Sequence, residues 1–226
     1  QQGEGSNPVF WGPEFGFART LSKAGHANFA IIKASRGGGG NSFWLKGSRD
    51  DHMYHHVVAT VADAIKALPK GCDFRIRAVL YVQGESDNAE EAARAGERIE
   101  TLLKNLRADL PQASEVRLLV GGIAAAGGHR NRVREQQKDA AGRNESIEYV
   151  DNSDLASHLY DRLHFDKPAK LTVGERLARK WLAIKPSKRT ARATGGPVLR
   201  IACVGDSITY GAGIKDRATQ SYPAQL

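Results

Sequence analysis

Short apolar runs alternate along this chain with stretches patterned for amphipathic helices, and that alternation restricts the fold more than any other feature. Asn28 to Ala34 (NFAIIKA), Arg75 to Val82 (RIRAVLYV), Val116 to Val120 and Ile147 to Val150 have the length and apolar content of buried strands. Gly16 to Ala24, Asp50 to Leu68, Ala89 to Leu110 and Leu171 to Ile184 carry apolar residues at helical spacing, and the third of these reads as the longest helix. Pro69 and Gly71 close the second. Parallel strands need long crossover connections, and helices supply them. The pattern predicts an α/β fold, a central parallel sheet with helices on both faces.

In such sheets ligands bind at the carboxyl ends of the strands. The glycine-rich and polar segments Arg36 to Gly40, Gln83 to Asp87 and Gly205 to Thr209 all follow a strand and fall at that edge. A chain of 226 residues suits one such domain. Its formal charge of +8 raises the question of a nucleic-acid partner. The basic residues do not cluster enough for one; the densest run, Lys185 to Arg192, reads as a solvated linker. No stretch approaches the roughly 18 to 20 apolar residues of a membrane helix, so no membrane partner is expected, and Gln1 to Ser6 lacks the regions of a signal peptide. Cys72 and Cys203 form no zinc spacing, Cys203 reads as a buried thiol, and whether the two pair is left open by the sequence.

The chemistry is concentrated in two segments. Ile201-Ala202-Cys203-Val204-Gly205-Asp206-Ser207-Ile208-Thr209-Tyr210-Gly211 is a buried strand running into a glycine-flanked serine. A serine at such an exit projects its oxygen into the strand-end crevice, and its own N–H can help hold an oxyanion. Serine is a weak nucleophile until a histidine, oriented by a carboxylate, takes its proton. Asp161 and His164, three residues apart in YDRLHFD, offer that pair.

VGDSITYGAG resembles the nucleophile block of the SGNH (GDSL) hydrolases, and Asp161-Arg162-Leu163-His164 resembles their last block, DxxH. Tyr81-Val82-Gln83-Gly84-Glu85-Ser86-Asp87 is similar to the QGES block of the sialate O-acetylesterase-like branch, and Trp11-Gly12-Pro13-Glu14 with Ile31-Ile32-Lys33-Ala34 and Gly37-Gly38 is similar to its WGPE and IIKxA…GG stretch. This second likeness covers roughly residues 8 to 184. It implies a three-layer α/β/α, flavodoxin-like fold and an esterase that removes acetyl groups from a carbohydrate without a cofactor or metal. Ser207 would be the nucleophile, His164 the base and Asp161 its orienting carboxylate. The oxyanion would be held by the N–H groups of Ser207 and of Gly37 or Gly38, with Gln83 the first and Ser86 the second choice for a further donor. Glu85, Ser86, Trp44 and Asp206 are candidate substrate contacts. A polysaccharide substrate implies a secreted or periplasmic enzyme.

The block order departs from the family, because the nucleophile comes last. One explanation is circular permutation of a single domain: a main body over 1–184, a linker over 185–197, and a displaced first strand with the nucleophile over 198–226. A flexible linker of a dozen residues spans on the order of 20 Å, enough for the purpose. The other explanation is a fragment in which GDSIT starts a second domain. Rival functions are a lipase or broad short-chain esterase of the same class, and a carbohydrate-binding domain without an assembled triad. Other features have plainer readings. His52, His55 and His56 lie on a helix surface, Glu85 and Asp87 are too common a pair to imply a glycosidase, Trp11 and Trp44 are as much core as sugar platform, and His129 and His158 show no partner.

Overall fold

The computed structural model describes residues 12–72 and 74–184, together with the backbone of 199–205. Asp206 and Ser207, Trp11 and the linker over 185–197 lie outside the described residues. The order of elements is α1 (Pro13–Lys23), β1 (Phe29–Lys33), α2 (His52–Lys66), β2 (Phe74–Tyr81), α3 (Ala89–Ala93), α4 (Ala95–Asp109), β3 (Arg117–Gly121), α5 (His129–Arg143), β4 (Ile147–Val150), α6 (Lys167–Ala183) and β5 (Leu199–Gly205). The five strands form one sheet in the order β1-β5-β2-β3-β4, and every neighbouring pair is parallel. The α/β sandwich expected from the alternation is therefore the observed fold.

Successive residues of a strand point to opposite faces, and β2 and β3 divide their side chains accordingly. Ile76, Val79 and Tyr81 join Leu118 and Val120 on one face, under Met53, Tyr54, Val57 and Val61 of α2 and Ile99, Leu102, Leu103 and Leu106 of α4. Ala78 and Leu80 join Leu119 on the other, under Phe17 and Leu21 of α1 and Val173, Leu177 and Ala178 of α6. Fully burying one such aliphatic side chain contributes about 1.5 to 3 kcal/mol, so the two clusters hold the three layers together. Helices α1 and α6 cross at glycines: a Cβ on Gly174 would stand 1.9 Å from the Pro13 carbonyl oxygen.

Strand β5 lies between β1 and β2, with Lys33 opposite Val204 and Tyr81 opposite Gly205. The chain's last described strand thus runs through the interior of the sheet, and its end at Gly205 lies level with the ends of β1 and β2.

Two helical readings change. The stretch from Ala89 to Leu110 is two helices, broken at Arg94, whose φ of −108° and ψ of 6° leave the helical region. A capping box between Asn88 and Glu91 starts the first of them. Among the described residues the longest helix is instead α6, with 17 residues. The second change is α5, which the sequence pattern does not announce. Its inward stripe is only Val133, Gln137 and Ala140, so the apolar period that marks a helix is nearly absent. Among the described residues no helix is long and apolar enough to cross a membrane.

Candidate active site

Where β1 ends, the chain turns through Gly37 and Gly38, the latter at φ +70°. Gly38 is exposed and Gly37 half-buried. The loop then enters a 3-10 turn over Asn41–Trp44. Where β2 ends, Val82 leads into the Gln83-Gly84-Glu85-Ser86-Asp87 segment, with Gly84 at φ +140°.

These two loops are joined by a buried polar network. The Asp87 carboxylate accepts the backbone N–H of Asn41 at 2.9 Å and its side-chain amide at 2.8 Å. The same Asn41 amide donates to the Glu91 carbonyl, and its Oδ1 accepts from Arg98 at 2.6 Å. Glu91 accepts from the Ser42 hydroxyl at 2.5 Å, and its carboxylate lies so close to Gly40 that a Cβ there would meet it at 2.1 Å. Only glycine at position 40 allows that approach. Burial pushes the Asp87 carboxyl up to about 6, helped by the nearby Glu91 charge and opposed by the bonds from Gln83 and Asn41. Asn41, Glu91 and Arg98 are absent from the residues singled out in the sequence, because no motif marks them.

Gln83 is 4 % exposed and sits inside this network. Its side-chain amide donates to Asp87 at 2.6 Å and, more loosely, to the Gly39 carbonyl at 3.3 Å, while the Tyr81 hydroxyl donates to its Oε1 at 2.8 Å. Its backbone carbonyl accepts from Gln137, so α5 also holds the loop. Glu85 is buried and Ser86 exposed. Trp44 is 5 % exposed and packs edge-on to Tyr81 in the core, which corrects its reading as a substrate contact: a buried indole presents no open face to a sugar.

The connection from β4 to α6 carries the candidate base and its carboxylate, His164 and Asp161. Residues 158–166 fold back on themselves through a bridge between Leu159 and Phe165, an N–H of Tyr160 donating to the His164 carbonyl at 3.1 Å, and an N–H of Asp166 donating to the His158 carbonyl at 2.8 Å. Inside this hairpin His164 Nδ1 stands 2.5 Å from Asp161 Oδ2, while Asp161 Oδ1 accepts the N–H groups of Leu163 and His164. Burial raises the Asp161 carboxyl, but the imidazole and the two amides outweigh it and hold the group below its ordinary value. An ionised carboxylate on Nδ1 orients the ring and leaves Nε2 as the proton acceptor.

His158 is not without a partner. Its Nδ1 lies 3.0 Å from Asp166 Oδ2, and Asp166 Oδ1 caps α6 by accepting the Ala169 N–H. The pair ties the base of the hairpin to the helix. Of the helical histidines, His55 pairs with Asp51 at 3.1 Å and His52 packs edge-on to Phe43. The tryptophan-glycine-proline-glutamate stretch also has a physical role: Glu14 bonds Lys33 at 2.5 Å, the lysine side chain being 4 % exposed, and so pins the start of α1 to the end of β1.

The family described as carbohydrate esterase, sialic acid-specific acetylesterase, matches residues 6–183. Among solved structures, the X-ray structure of a protein from Arabidopsis thaliana at 1.6 Å resolution is similar, with 30% sequence identity and a TM-score of 0.63 over 76% of this chain and 68% of that one. No curated protein matches the chain. The match runs through the glycine loop, the QGESD loop and the hairpin that carries Asp161 and His164, and the chain belongs to the sialic acid-specific acetylesterase family of carbohydrate esterases.

Proposed function

We propose that the chain removes O-acetyl groups from glycans such as acetylated xylan through a Ser207-His164-Asp161 triad. The observation that carries this reading is the Asp161–His164 pair, which occupies Nδ1 and leaves Nε2 for a hydroxyl proton. In the proposed reaction His164 takes the Ser207 proton, the serine oxygen bonds the acetyl carbon, and the carbonyl electrons move onto oxygen. Collapse of that intermediate breaks the ester bond, and the sugar oxygen leaves with the proton from His164. Water then repeats the sequence on the acetyl-enzyme and releases acetate. The oxyanion would be held by the N–H groups of Ser207 and of Gly37 or Gly38. Gln83 would join them by exchanging its looser bond to Gly39 for the oxyanion. A polysaccharide substrate would place the enzyme outside the cytoplasm.

The single-domain, permuted reading is supported by β5 lying between β1 and β2 and ending two residues before Ser207. The end of the family match at residue 183 favours a second reading, in which GDSIT opens another domain. Hydrolysis of p-nitrophenyl acetate by the wild type and its loss in Ser207→Ala test the nucleophile. Truncation after Ala183 separates the two architectures: a permuted domain loses an interior strand and its circular-dichroism melting transition, whereas a well-folded remnant overturns permutation.

A further inference from the structure

Tyr160 is two-thirds open to solvent, at 62 % exposure, yet its ring stacks on His164 with centroids 5.8 Å apart and planes 22° from parallel. Faces in van der Waals contact are roughly 3.5 Å apart. At the observed centroid spacing the two rings are therefore displaced sideways by about 4 to 5 Å, the offset arrangement that aromatic pairs prefer. Much of the phenol face projects past the imidazole, uncovered.

The backbone that carries this ring is also held in place. The Tyr160 N–H bonds the His164 carbonyl, the neighbouring Leu159 bridges Phe165, and the His158–Asp166 pair closes the base of the hairpin. A tyrosine fixed this way loses little further freedom when it meets a ligand, because only two side-chain torsions remain to be ordered. Among the described residues the exposed large apolar side chains are Phe15, Tyr160 and Leu182, and Tyr160 is the one in ring contact with His164.

We propose that Tyr160 is a specificity-determining residue: the uncovered part of its ring is a platform for a neutral pyranose carrying, or adjacent in the glycan to, the acetyl group at His164. This rests on the esterase reading for the position of the scissile bond. An equatorially substituted pyranose presents a sheet of axial C–H groups, an apolar face that matches an aromatic one in size and polarity. Stacking it on Tyr160 removes apolar area from water on both partners while the sugar hydroxyls stay at the solvated rim. A simple aliphatic acetate has no such face and draws nothing from the platform.

Two measurements on the full chain test this. Isothermal titration with xylotetraose, which carries no acetyl group, reads the platform without catalysis: Tyr160→Ala weakens the affinity about tenfold, and Tyr160→Phe stays within about twofold of wild type. Kinetics on an acetylated xylo-oligosaccharide and on ethyl acetate read it in the reaction. The ratio of kcat/KM for the sugar ester over ethyl acetate falls about tenfold in Tyr160→Ala, chiefly through KM, and is kept in Tyr160→Phe. Xylotetraose binding that is absent from the wild type, or equal in wild type and Tyr160→Ala, overturns the platform. Equal losses on both esters overturn it too, since they would make Tyr160 a support for His164 alone. Tyrosine-dependent xylotetraose binding by a chain that hydrolyses neither ester supports the platform and overturns the esterase reading.

Discussion

Asn41 and Asp87 lie 46 positions apart in the chain, yet the carboxylate of Asp87 takes both the backbone N–H and the side-chain amide of Asn41. This pairing locks the loop after β1 onto the loop after β2, and so fixes the glycines at one side of the proposed oxyanion site relative to Gln83 at the other.

The burial that raises Asp87 to about 6 makes its titration a direct check. A raised carboxylate binds its proton in the folded state before it does in the unfolded one. Between about pH 4 and pH 6 the native protein therefore holds more protons, and stability falls as pH rises through that window. Carboxyl-carbon NMR should show Asp87 titrating near 6, and the acid-side slope of unfolding free energy should flatten in Asp87→Asn. A midpoint near the ordinary aspartate value would mean that water reaches the carboxylate.

Asp161→Asn should leave the hairpin folded, because asparagine keeps an acceptor for the N–H groups of Leu163 and His164. Its amide would donate to Nδ1 and force the imidazole into the tautomer with hydrogen on Nε2, which accepts no proton from serine. On the proposed mechanism kcat falls about 10⁴-fold. Turnover within tenfold of wild type, measured on p-nitrophenyl acetate, would remove Asp161 from its role.

Among the described residues Arg162 is the one non-glycine residue with positive φ, at 67°. The turn that lets Asp161 accept two successive amides requires it. A left-handed side-chain residue costs about 1 to 2 kcal/mol, partly recovered in glycine and worsened by β-branching. Arg162→Val should lower the melting temperature by several degrees, whereas Arg162→Gly should lie within about 1 kcal/mol of wild type once its larger unfolded-state entropy is included. Equal melting temperatures for the two would show a turn that rearranges.

Two glycine-to-alanine changes should have opposite signs. At Gly174 the added methyl meets the Pro13 carbonyl oxygen at 1.9 Å and the Phe17 nitrogen at 2.7 Å, so α1 and α6 must separate, at a cost of about 1 to 3 kcal/mol or more. At Gly142, in α5, nothing lies within 4 Å, and alanine should add about 0.5 to 1 kcal/mol through helix propensity. Chemical denaturation of both variants reads the difference.

The elements legible in the sequence are those whose signal is carried by near neighbours along the chain. Strands β1 to β4 show as apolar runs because both of their faces pack against the two core clusters, and the Asp161–His164 pair shows because one turn of backbone brings residues three apart into contact. Helix α5 is not legible, since its inward stripe includes Gln137 and carries too little apolar period. Trp44 illustrates an ambiguity of type: an indole beside a glycine loop reads equally as platform or core, and packing against Tyr81 makes it core.

The alternation of strand and helix, the glycine loops at strand ends and the pairing within DxxH are properties of local spacing, written in the order of residues. The clamp of Asn41, Asp87, Glu91 and Arg98, the place of β5 between β1 and β2, and the stacking that leaves most of Tyr160 exposed come from packing. Contacts across 46 to 57 positions depend on how whole elements settle against one another. No pattern of neighbouring residues encodes that arrangement, because burial and hydrogen-bond satisfaction are decided by the assembled layers.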